Sequence, residues 1–258
     1  MPELAKITTA ADPLRAEFHT NGFAIVPGLA NPERVARLLA VVKRELAEGR
    51  GPAEYESDLH YPGAPASRSA PGGDTIRRLL DAWSRGEEIR SWATDAALVS
   101  CLRRLMGPNL VMSRAHHNCI MTKQPRHSSA TGWHQDLRYW SFERPELVSV
   151  WLALASESPE NGGLWLIPGS HRMTFSDDRF DDRKFFRPDL AANDSIIQTR
   201  VTAQLNPGDA LFFHCLTLHS AGNNRTNATK HSLVFSYRAA DNLPLADTRS
   251  SSLPEIAL

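Results

Sequence analysis

The chain has 258 residues, a length that fits one large domain and allows a sizeable buried core. Lys and Arg together number 29, Asp and Glu together number 29, and the 10 His add little charge at neutral pH. Without a net field the chain has no general attraction for nucleic acid or for an anionic membrane, and we expect neither as a partner.

The three cysteines, Cys101, Cys119 and Cys215, are an odd number and lie far apart, which is not the pattern of a disulfide framework. The N-terminal stretch MPELAKITTAADPLRAEF lacks the basic-then-apolar pattern of a signal peptide. No apolar run approaches the roughly 20 residues that a membrane-spanning helix needs. These features predict a soluble protein of a reducing, cytoplasmic compartment.

The beginning of the chain mixes helix and strand signals. A short helix is expected to end at Gly22, and Phe23–Val26 has the composition of a strand, which Pro27 and Gly28 terminate. Asn31 is suited to cap a second helix. The apolar residues of that helix recur at helical spacing: Val35, Leu38, Leu39, Val42 and Leu46.

The stretch 50–75 is rich in Pro, Gly and Ser and predicts an irregular excursion. Two further helices are expected over 76–83 and 96–106, the second of which ends at Gly107. Beyond about residue 110 the pattern changes to short strands: LVMSRAHHNCIMTK, LVSVWLALA, GGLWLIPGSH, DALFFHCLTLHS and KHSLVFSYRA. Turn signals such as Asn161-Gly162-Gly163 separate them. This series predicts a β-sandwich or a jelly-roll barrel.

A charged segment, 176–189 (SDDRFDDRKFFRPD), interrupts the strand series. One interpretation is a solvated surface insertion, since charged runs are usually exposed. The other is a mobile lid over an active site, because long excursions in compact domains are often functional. The residue pattern does not decide between them.

The stretch TGWHQDLRYW contains the first metal-site signal. On a strand, residues two apart point to the same face, so His134 and Asp136 are placed to offer an imidazole and a carboxylate to one point. A third ligand would complete the facial triad that suits non-haem Fe(II). The pair alone also fits a hydrogen-bonded couple at a strand end.

A candidate for the third ligand lies in the stretch DALFFHCLTLHS. His219 ends this apolar run and meets a turn. His214 has the opposite strand parity from His219, so it is expected in the core or behind the site.

Two longer stretches carry a family resemblance: WHQDLRYWSFERPELVSVWLALASESPENGGLWLIPGSHR, and GDALFFHCLTLHSAGNN some forty residues later. They resemble the phytanoyl-CoA dioxygenase family of Fe(II)- and 2-oxoglutarate-dependent oxygenases, and GFAIVPGL and NCIMTKQP add to the likeness, which spans about residues 15–240. The resemblance implies a mainly β fold with flanking helices around a double-stranded β-helix (jelly-roll, cupin-like) core. It implies His134, Asp136 and His219 as iron ligands, with 2-oxoglutarate and O2 as cosubstrates. Related halogenases lack the carboxylate, so Asp136 disfavours halogenation.

The sequence departs from the family pattern at two cosubstrate positions. Lys230 stands where the family has the arginine that grips the distal carboxylate of 2-oxoglutarate, and strand alternation points it inward. A lysine offers a point charge and no bidentate fork. Arg225 and Arg238 are the alternative cations if Lys230 only caps its strand. A family serine is replaced by Ala221, so its hydroxyl contact is expected either to be lost or to move to Ser220 or Ser232.

The resemblance also suggests other cavity positions, each with a plain alternative. Trp151, Met121 and His117 match positions beside the cosubstrate, although Trp151 also fits an ordinary core. Arg77 or Arg78 matches a region that touches 2-oxoglutarate or substrate, although an exposed helical arginine is the alternative. A third group flanks the metal motif and is expected to shape the substrate pocket: Arg78, Trp133, Arg138, Tyr139 and Trp140.

These observations predict a single oxygenase domain over residues 1–258. Its parts are an N-terminal region of helices and irregular segments at about 1–110, a jelly-roll core with the metal site at about 110–240, and a C-terminal tail at about 241–258. The expected activity is hydroxylation of an unactivated carbon of a small molecule, with release of succinate and CO2, in bacterial or fungal small-molecule or secondary metabolism. Desaturation, epimerisation, epoxidation or ring closure can follow the same chemistry. A non-catalytic, metal-binding, cupin-like barrel is the second alternative. Oligomeric state does not follow from the sequence.

Overall fold

Two antiparallel β-sheets form the frame of the protein, as seen in a computed structural model that describes residues 12–258. Within that range the chain forms these strands: β1 (Phe23–Val26), β2 (Ala53–Tyr55), β3 (Ile76–Leu80), β4 (Leu110–Lys123), β5 (Thr131–His134), β6 (Leu147–Ala153), β7 (Leu164–Leu166), β8 (Val201–Thr202), β9 (Ala210–His214), β10 (His219–Ala221), β11 (Lys230–Ala239) and β12 (Ile256–Ala257). The larger sheet has the order β1-β9-β6-β11-β4-β3-β2, with β12 paired to β4, and the smaller sheet has the order β5-β10-β7-β8. The prediction of a mainly β protein with short strands is confirmed.

Five α-helices accompany the sheets in the described part of the chain: α1 (Pro13–Asn21), α2 (Pro32–Glu48), α3 (Glu87–Ala93), α4 (Ala96–Met106) and α5 (Ala191–Ile197). The predicted C-terminal ends of α1 and α4 and the predicted N-cap of α2 are confirmed. Gly22 terminates α1 in a left-handed conformation, the Asn31 side chain accepts the Arg34 backbone N–H at the start of α2, and α4 ends at Gly107. Helices α3 and α5 have seven residues each and were not expected from the pattern. No helix in residues 12–258 is long and apolar enough to cross a bilayer.

The predicted helix over 76–83 is wrong. Ile76–Leu80 is strand β3, followed by a short 3-10 helix at Ala82–Arg85. Leu79 pairs with Ala53 of β2 and with Ile120 of β4, and it is fully buried. Arg and Leu prefer helix over other states by only a few tenths of a kcal/mol. The burial and hydrogen bonds that β3 gains in the larger sheet outweigh that preference.

Alternate residues of β11 separate two cores. Leu233 and Phe235 join a cluster with Leu38, Trp92 and Leu102 of the helices. On the other face, Val234 packs in a second cluster that contains residues of both sheets: Trp151, Leu211 and Phe213 of the larger sheet, and Leu164, Leu166 and Ala221 of the smaller sheet. The space between the two sheets is therefore where inward-pointing polar side chains of β11 arrive.

The expected single strand DALFFHCLTLHS is divided between the two sheets. Ala210–His214 belongs to the larger sheet, and His219–Ala221 belongs to the smaller sheet. Residues 215–218 carry the chain across, with the Cys215 backbone N–H still donating to the Leu147 carbonyl. His219 consequently begins β10 instead of ending the run.

A bulge in β4 interrupts its ladder with β11. The ladder between β4 and β11 passes from Asn118–Phe235 directly to Ser113–Ser236. Residues 114–117 of β4 are therefore left outside the ladder. As a result the consecutive His116 and His117 both reach the cavity described below, which strand alternation alone would not allow.

The charged segment 176–189 lies against the smaller sheet. Phe186 is fully buried in a cluster with Ile167, Ile197 and Leu218, and an isolated bridge joins Phe180 to Phe186. Most of the charged side chains around these phenylalanines are exposed. The segment is thus held by an apolar anchor beneath a solvated surface, and a closing motion stays a prediction.

Gly22 gives a test of the junction between α1, β1 and the crossing at 215–218. A Cβ at this position, where φ is +82°, would lie 2.4 Å from His171 Nδ1 and 2.6 Å from Thr217 Oγ1. Gly49 also ends a helix in the left-handed conformation, but a Cβ there meets nothing within 4 Å. Both alanine variants carry the left-handed penalty of about 1–2 kcal/mol, and overpacking adds about 1–3 kcal/mol at Gly22 only. Urea unfolding is expected to show Gly22→Ala less stable than Gly49→Ala by that difference. Equal losses would contradict the packing described here.

Candidate metal centre

Three side chains converge between the sheets at one end of the smaller sheet. His134 is the last residue of β5, His219 is the first residue of β10, and the two are direct partners in the antiparallel ladder. Asp136 opens the 3-10 turn Asp136–Tyr139 that follows β5. One ligand atom of each residue lies within 4.8 Å of the other two, and all three residues are at most 8% exposed. The carboxylate reaches this point through the turn and not, as expected, by strand alternation.

Backbone carbonyls orient the two imidazoles. His134 Nδ1 lies 2.8 Å from the Gly132 carbonyl, and His219 Nδ1 lies 3.0 Å from the Thr217 carbonyl. A carbonyl only accepts, so each Nδ1 carries the proton and each Nε2 keeps its lone pair. The Nε2 atoms lie 3.9 Å and 3.6 Å from Asp136 Oδ1. Burial, reinforced by His219 and Arg138, holds the pKa of His134 well below its usual value, which favours the neutral form that binds a metal.

Asp136 is held from its other oxygen. Ser149 Oγ donates to Asp136 Oδ2 at 3.0 Å, and His117 Nδ1 lies 3.5 Å from the same oxygen. Oδ1 is therefore left facing the two histidines. The Ser149 contact was missed by the sequence reasoning, and its signal is a serine in the otherwise apolar strand LVSVWLA, where a buried hydroxyl needs a partner.

The three residues line a cavity of about 360 Å³, within the range of about 300–1,000 Å³ that ligand pockets occupy. Most of the residues proposed from the sequence line it: His117, Met121, Trp151, Ser220 and Lys230 for the cosubstrate, and Arg78, Arg138, Tyr139 and Trp140 for the substrate. Two histidines, one carboxylate and open space beside them form a donor set that suits Fe(II) and leaves coordination positions free.

Trp133 is the exception among the proposed pocket residues. It precedes His134 on β5 and points to the opposite face, where it packs with Ile167 and Phe186. His214, as expected, is not a ligand, and its ring lies 6.3 Å from Phe18 and 5.4 Å from His171. Because alternate residues of a strand point to opposite faces, Trp133 points away from His134, and His214 points away from the metal position.

The arginines of β3 sit in the sheet and not on an exposed helix. Arg78 Nε donates to Glu54 Oε1 at 2.9 Å, and Arg77 is buried and donates to Thr131 Oγ1 at 2.9 Å. Both line the cavity. Since a helix was expected here, the acidic partner on β2 was not foreseen.

The inner end of the cavity contains a buried ion pair. Lys230 Nζ donates to Glu157 Oε2 at 3.0 Å, and both residues are 2% exposed. Glu157 Oε1 accepts from Trp151 Nε1 at 2.9 Å and from Ser232 Oγ at 2.6 Å. Lys230 Nζ also lies 4.6 Å from the centre of the Trp151 ring. The inward direction of Lys230 agrees with its strand parity, but Glu157 was missed, because nothing in SESPENGG marks this glutamate as buried.

A second ammonium group lies beside the first. Lys123 of β4 is the ladder partner of Lys230 and also lines the cavity. Its Nζ donates to the Ser129 carbonyl, and no carboxylate of residues 12–258 lies within 4 Å of it. Burial, with Arg77 nearby, holds the pKa of Lys123 well below its usual value. The alternative cations do not reach the cavity: Arg225 is exposed, and Arg238 is paired with Glu255.

Comparison with known proteins agrees with the resemblance seen in the motifs. The sequence profile of the family described as "Phytanoyl-CoA dioxygenase (PhyH)" matches residues 18–232. Human peroxisomal phytanoyl-CoA dioxygenase is 27% identical over 186 residues, which cover 68% of this chain and 53% of the human protein. The chain thus spans about half the length of that relative. Ectoine dioxygenase of Bordetella parapertussis is 26% identical over 254 residues, which cover 90% of this chain and 78% of the relative.

Among solved structures, the epimerase SnoN in complex with Fe3+, alpha ketoglutarate and nogalamycin RO matches with a TM-score of 0.71. The two chains are 24% identical, and the match covers 90% of this chain and 84% of SnoN. At this level of identity the likeness concerns the fold. It confirms the predicted double-stranded β-helix with flanking helices.

The buried pair at the inner end predicts an asymmetric stability effect. Glu157→Ala removes the only carboxylate within 4 Å of Lys230 in the described residues and leaves its charge buried, which is expected to cost about 3–5 kcal/mol of unfolding free energy. Glu146→Gln is the control, because Glu146 is an exposed partner of Arg144 and such pairs contribute about 0–1 kcal/mol. Urea unfolding measures both. Similar small losses in the two variants would show that Lys230 is not buried as a charge.

Proposed function

Because the chain belongs to the phytanoyl-CoA dioxygenase family, we propose that it is an Fe(II)- and 2-oxoglutarate-dependent dioxygenase that hydroxylates an unactivated carbon of a small molecule. The observation that carries this proposal is the convergence of His134, Asp136 and His219 in a cavity with free space beside the ligand atoms. We assign these three residues as the iron ligands. Bound iron, with 2-oxoglutarate and O2, supplies the oxidising power for removing a substrate hydrogen, and the cosubstrate leaves as succinate and CO2.

Backbone carbonyls and one serine hydroxyl orient the three proposed metal ligands. The carbonyls of Gly132 and Thr217 fix both Nε2 lone pairs toward the metal position, and Ser149 prevents Asp136 from rotating away. Burial of the three ligands limits the access of bulk water. The cavity size suits a small molecule that shares the space with the cosubstrate.

We place the distal carboxylate of 2-oxoglutarate at Lys230 and Lys123. An ammonium has three donors, and Lys230 uses two of them, on Glu157 and on Ser232 at 3.3 Å. Lys123 uses one, on the Ser129 carbonyl. One free donor on Lys230 and two on Lys123 therefore remain for the carboxylate. Glu157 offsets the charge of Lys230, and an anion bound beside Lys123 would favour the charged form of that amine against the effect of burial.

The remaining cosubstrate positions form walls around this point. His117, Met121, Trp151 and Ser220 line the same cavity, and we assign them to the cosubstrate side. Ser232 donates its hydroxyl proton to Glu157, which favours Ser220 as the hydroxyl that replaces the family serine. Arg78, Arg138, Tyr139 and Trp140 are assigned to the substrate side.

Other outcomes of the same chemistry remain alternatives. Epimerisation has support from the fold likeness to the epimerase SnoN. Desaturation and ring closure begin with the same loss of a substrate hydrogen, whereas epoxidation of an alkene adds the oxygen atom without that loss. Mass spectrometry of the product separates them: a gain of one oxygen means hydroxylation or epoxidation, a loss of two hydrogens means desaturation or cyclisation, and an unchanged mass means epimerisation. A non-catalytic, metal-binding barrel is the second alternative, and succinate formation would exclude it.

The proposal also includes a cellular compartment and a metabolic context. We place the protein in the cytoplasm and in bacterial or fungal small-molecule or secondary metabolism, acting as one oxygenase domain. The three cysteines are buried and unpaired in the structure, which suits a reducing compartment.

The metal assignment is tested by Asp136→Ala and His219→Ala. Each is expected to lose iron after dialysis, and to lose succinate formation in the presence of 2-oxoglutarate and O2, by more than the roughly 10–100-fold that removal of an outer-shell partner costs. Ser149→Ala should fall within that smaller range. His214→Asn is the control and should keep its iron. An iron-replete, active His219→Ala enzyme would refute the assignment.

The cosubstrate assignment is tested with Lys230→Met/Glu157→Gln, which removes both charges and so leaves no unpaired buried ion. We expect the Kd of 2-oxoglutarate for the anaerobic Fe(II) protein to rise at least about tenfold, since a charge-assisted hydrogen bond contributes about 1.5–3 kcal/mol. Lys123→Met should show a similar rise, and the exposed Arg225→Gln should show none. Isothermal titration calorimetry measures all four proteins. An unchanged Kd in the double variant would mean that another cation binds the carboxylate.

A further inference from the structure

The mouth of the cavity carries positive charge that the protein does not neutralise. Arg138, Arg183 and Arg249 line the cavity together with Arg77, Arg78, Lys123 and Lys230. Glu54 pairs with the arginines of β3, and Glu157 pairs with Lys230. In contrast, no carboxylate of residues 12–258 lies within 4 Å of a guanidinium nitrogen of Arg138, Arg183 or Arg249, as the ion pairs of that range show.

Aromatic rings, and not acidic groups, position the first two of these arginines. The Arg138 guanidinium carbon lies 4.2 Å from the centre of the Phe185 ring and 4.7 Å from that of Tyr139. The Arg183 carbon lies 5.1 Å from the Tyr61 ring and 5.7 Å from the Phe185 ring. A cation over an aromatic face is held in place while its N–H groups stay available at the edge of the guanidinium plane.

The hydrogen bonds of these guanidinium groups are few. Arg183 donates to the Leu59 carbonyl at 2.8 Å, and Arg138 reaches the Arg183 carbonyl and the Tyr61 hydroxyl only at 3.4 Å and 3.5 Å. A guanidinium has five donors. Most donors of both residues therefore have no protein acceptor in the described part of the chain.

Phe185 links this pair of arginines to the metal ligands. Its ring lies 5.9 Å from the His134 ring, edge-on, and it carries Arg138 on its own face. Arg138 is therefore one aromatic ring away from the metal ligand His134, and both residues line the cavity together with Arg183. The inner cations lie at the other end, next to the cosubstrate position, and are already in use there.

We propose that the substrate carries a carboxylate or a phosphate group, which Arg138 and Arg183 bind at the mouth while the rest of the molecule extends through the cavity toward the metal position. Guanidinium forks bind both oxyanions through paired charge-assisted hydrogen bonds. Arg249, which donates to the Ala115 carbonyl at 3.2 Å, adds positive charge to the cavity. This inference rests on the proposed function, because it names the substrate class of the same site.

The experiment uses the anaerobic Fe(II) protein saturated with 2-oxoglutarate and three probes: phenyl phosphate, benzoate and the neutral benzamide. Calorimetry is expected to show that at least one anion binds about tenfold or more tightly than benzamide, and that its binding weakens as NaCl is raised. The stronger of the two anions identifies the oxyanion. Binding of neither anion, or binding of both anions no tighter than that of benzamide, overturns the proposal.

Variants assign the effect to the two arginines. Arg138→Gln and Arg183→Gln are each expected to weaken binding of the preferred anion about tenfold or more, and Arg138→Lys, which keeps the charge without the fork, is expected to lie between. Arg172→Gln is the matched control, because Arg172 donates to the Thr20 carbonyl and does not line the cavity. Unchanged anion binding in both glutamine variants overturns the proposal.

The Kd of 2-oxoglutarate separates this inference from the proposed function. It should be unchanged in Arg138→Gln and Arg183→Gln, with circular dichroism confirming their fold. An equal loss of 2-oxoglutarate and anion binding would assign the arginines to the cosubstrate and overturn the inference. Failure of the wild-type protein to bind iron and 2-oxoglutarate would instead overturn the proposed function.

Discussion

The antiparallel pairing of β5 with β10 is the contact on which the candidate metal centre depends. It places His134 directly opposite His219, and the turn after β5 then brings Asp136 to the same point. Each histidine is fixed by a carbonyl two residues before it in its own chain segment, so the local backbone sets the ring orientation once the strands are paired. A shift of one residue in this register would point one imidazole to the other face of the sheet, and the three ligand atoms would no longer lie close together. The small sheet thus acts as the frame that holds two distant segments in a fixed geometry.

The charges around the cavity follow a consistent arrangement. At the inner end two lysines face one glutamate, and the glutamate is fully used by Lys230, Trp151 and Ser232. At the mouth, guanidinium groups are held by aromatic faces and keep free donors. Of the cations without a carboxylate within 4 Å in residues 12–258, Lys123 is buried, and burying such a group costs free energy unless it is paired. This arrangement agrees with the two proposed positions for anionic groups, the cosubstrate carboxylate at the lysines and the substrate oxyanion at the arginines.

Several local features could be predicted because they depend on a few neighbouring residues. Gly22, Asn31 and Gly107 mark helix ends through backbone chemistry that any fold would respect. The boundaries of β4 and β11 agree with the expected strands, and the inward direction of Lys230 follows from alternation along β11. The prediction of a helix over 76–83 was wrong because its residues are compatible with both helix and strand. Pairing with β2 and β4 decided for the strand.

The sequence by itself determined the identity of the chemical groups, the strand-rich class of the fold and the spacing of His134, Asp136 and His219, since these depend on residue type and on short-range periodicity. Only the tertiary structure decided which polar groups meet. The contacts of Glu157 with Lys230, of Ser149 with Asp136, and of Arg138 and Arg183 with Phe185 join segments whose mutual positions no local pattern encodes. The tertiary structure also decided the division of 209–220 between two sheets, because the crossing at 215–218 exists only when both sheets are in place.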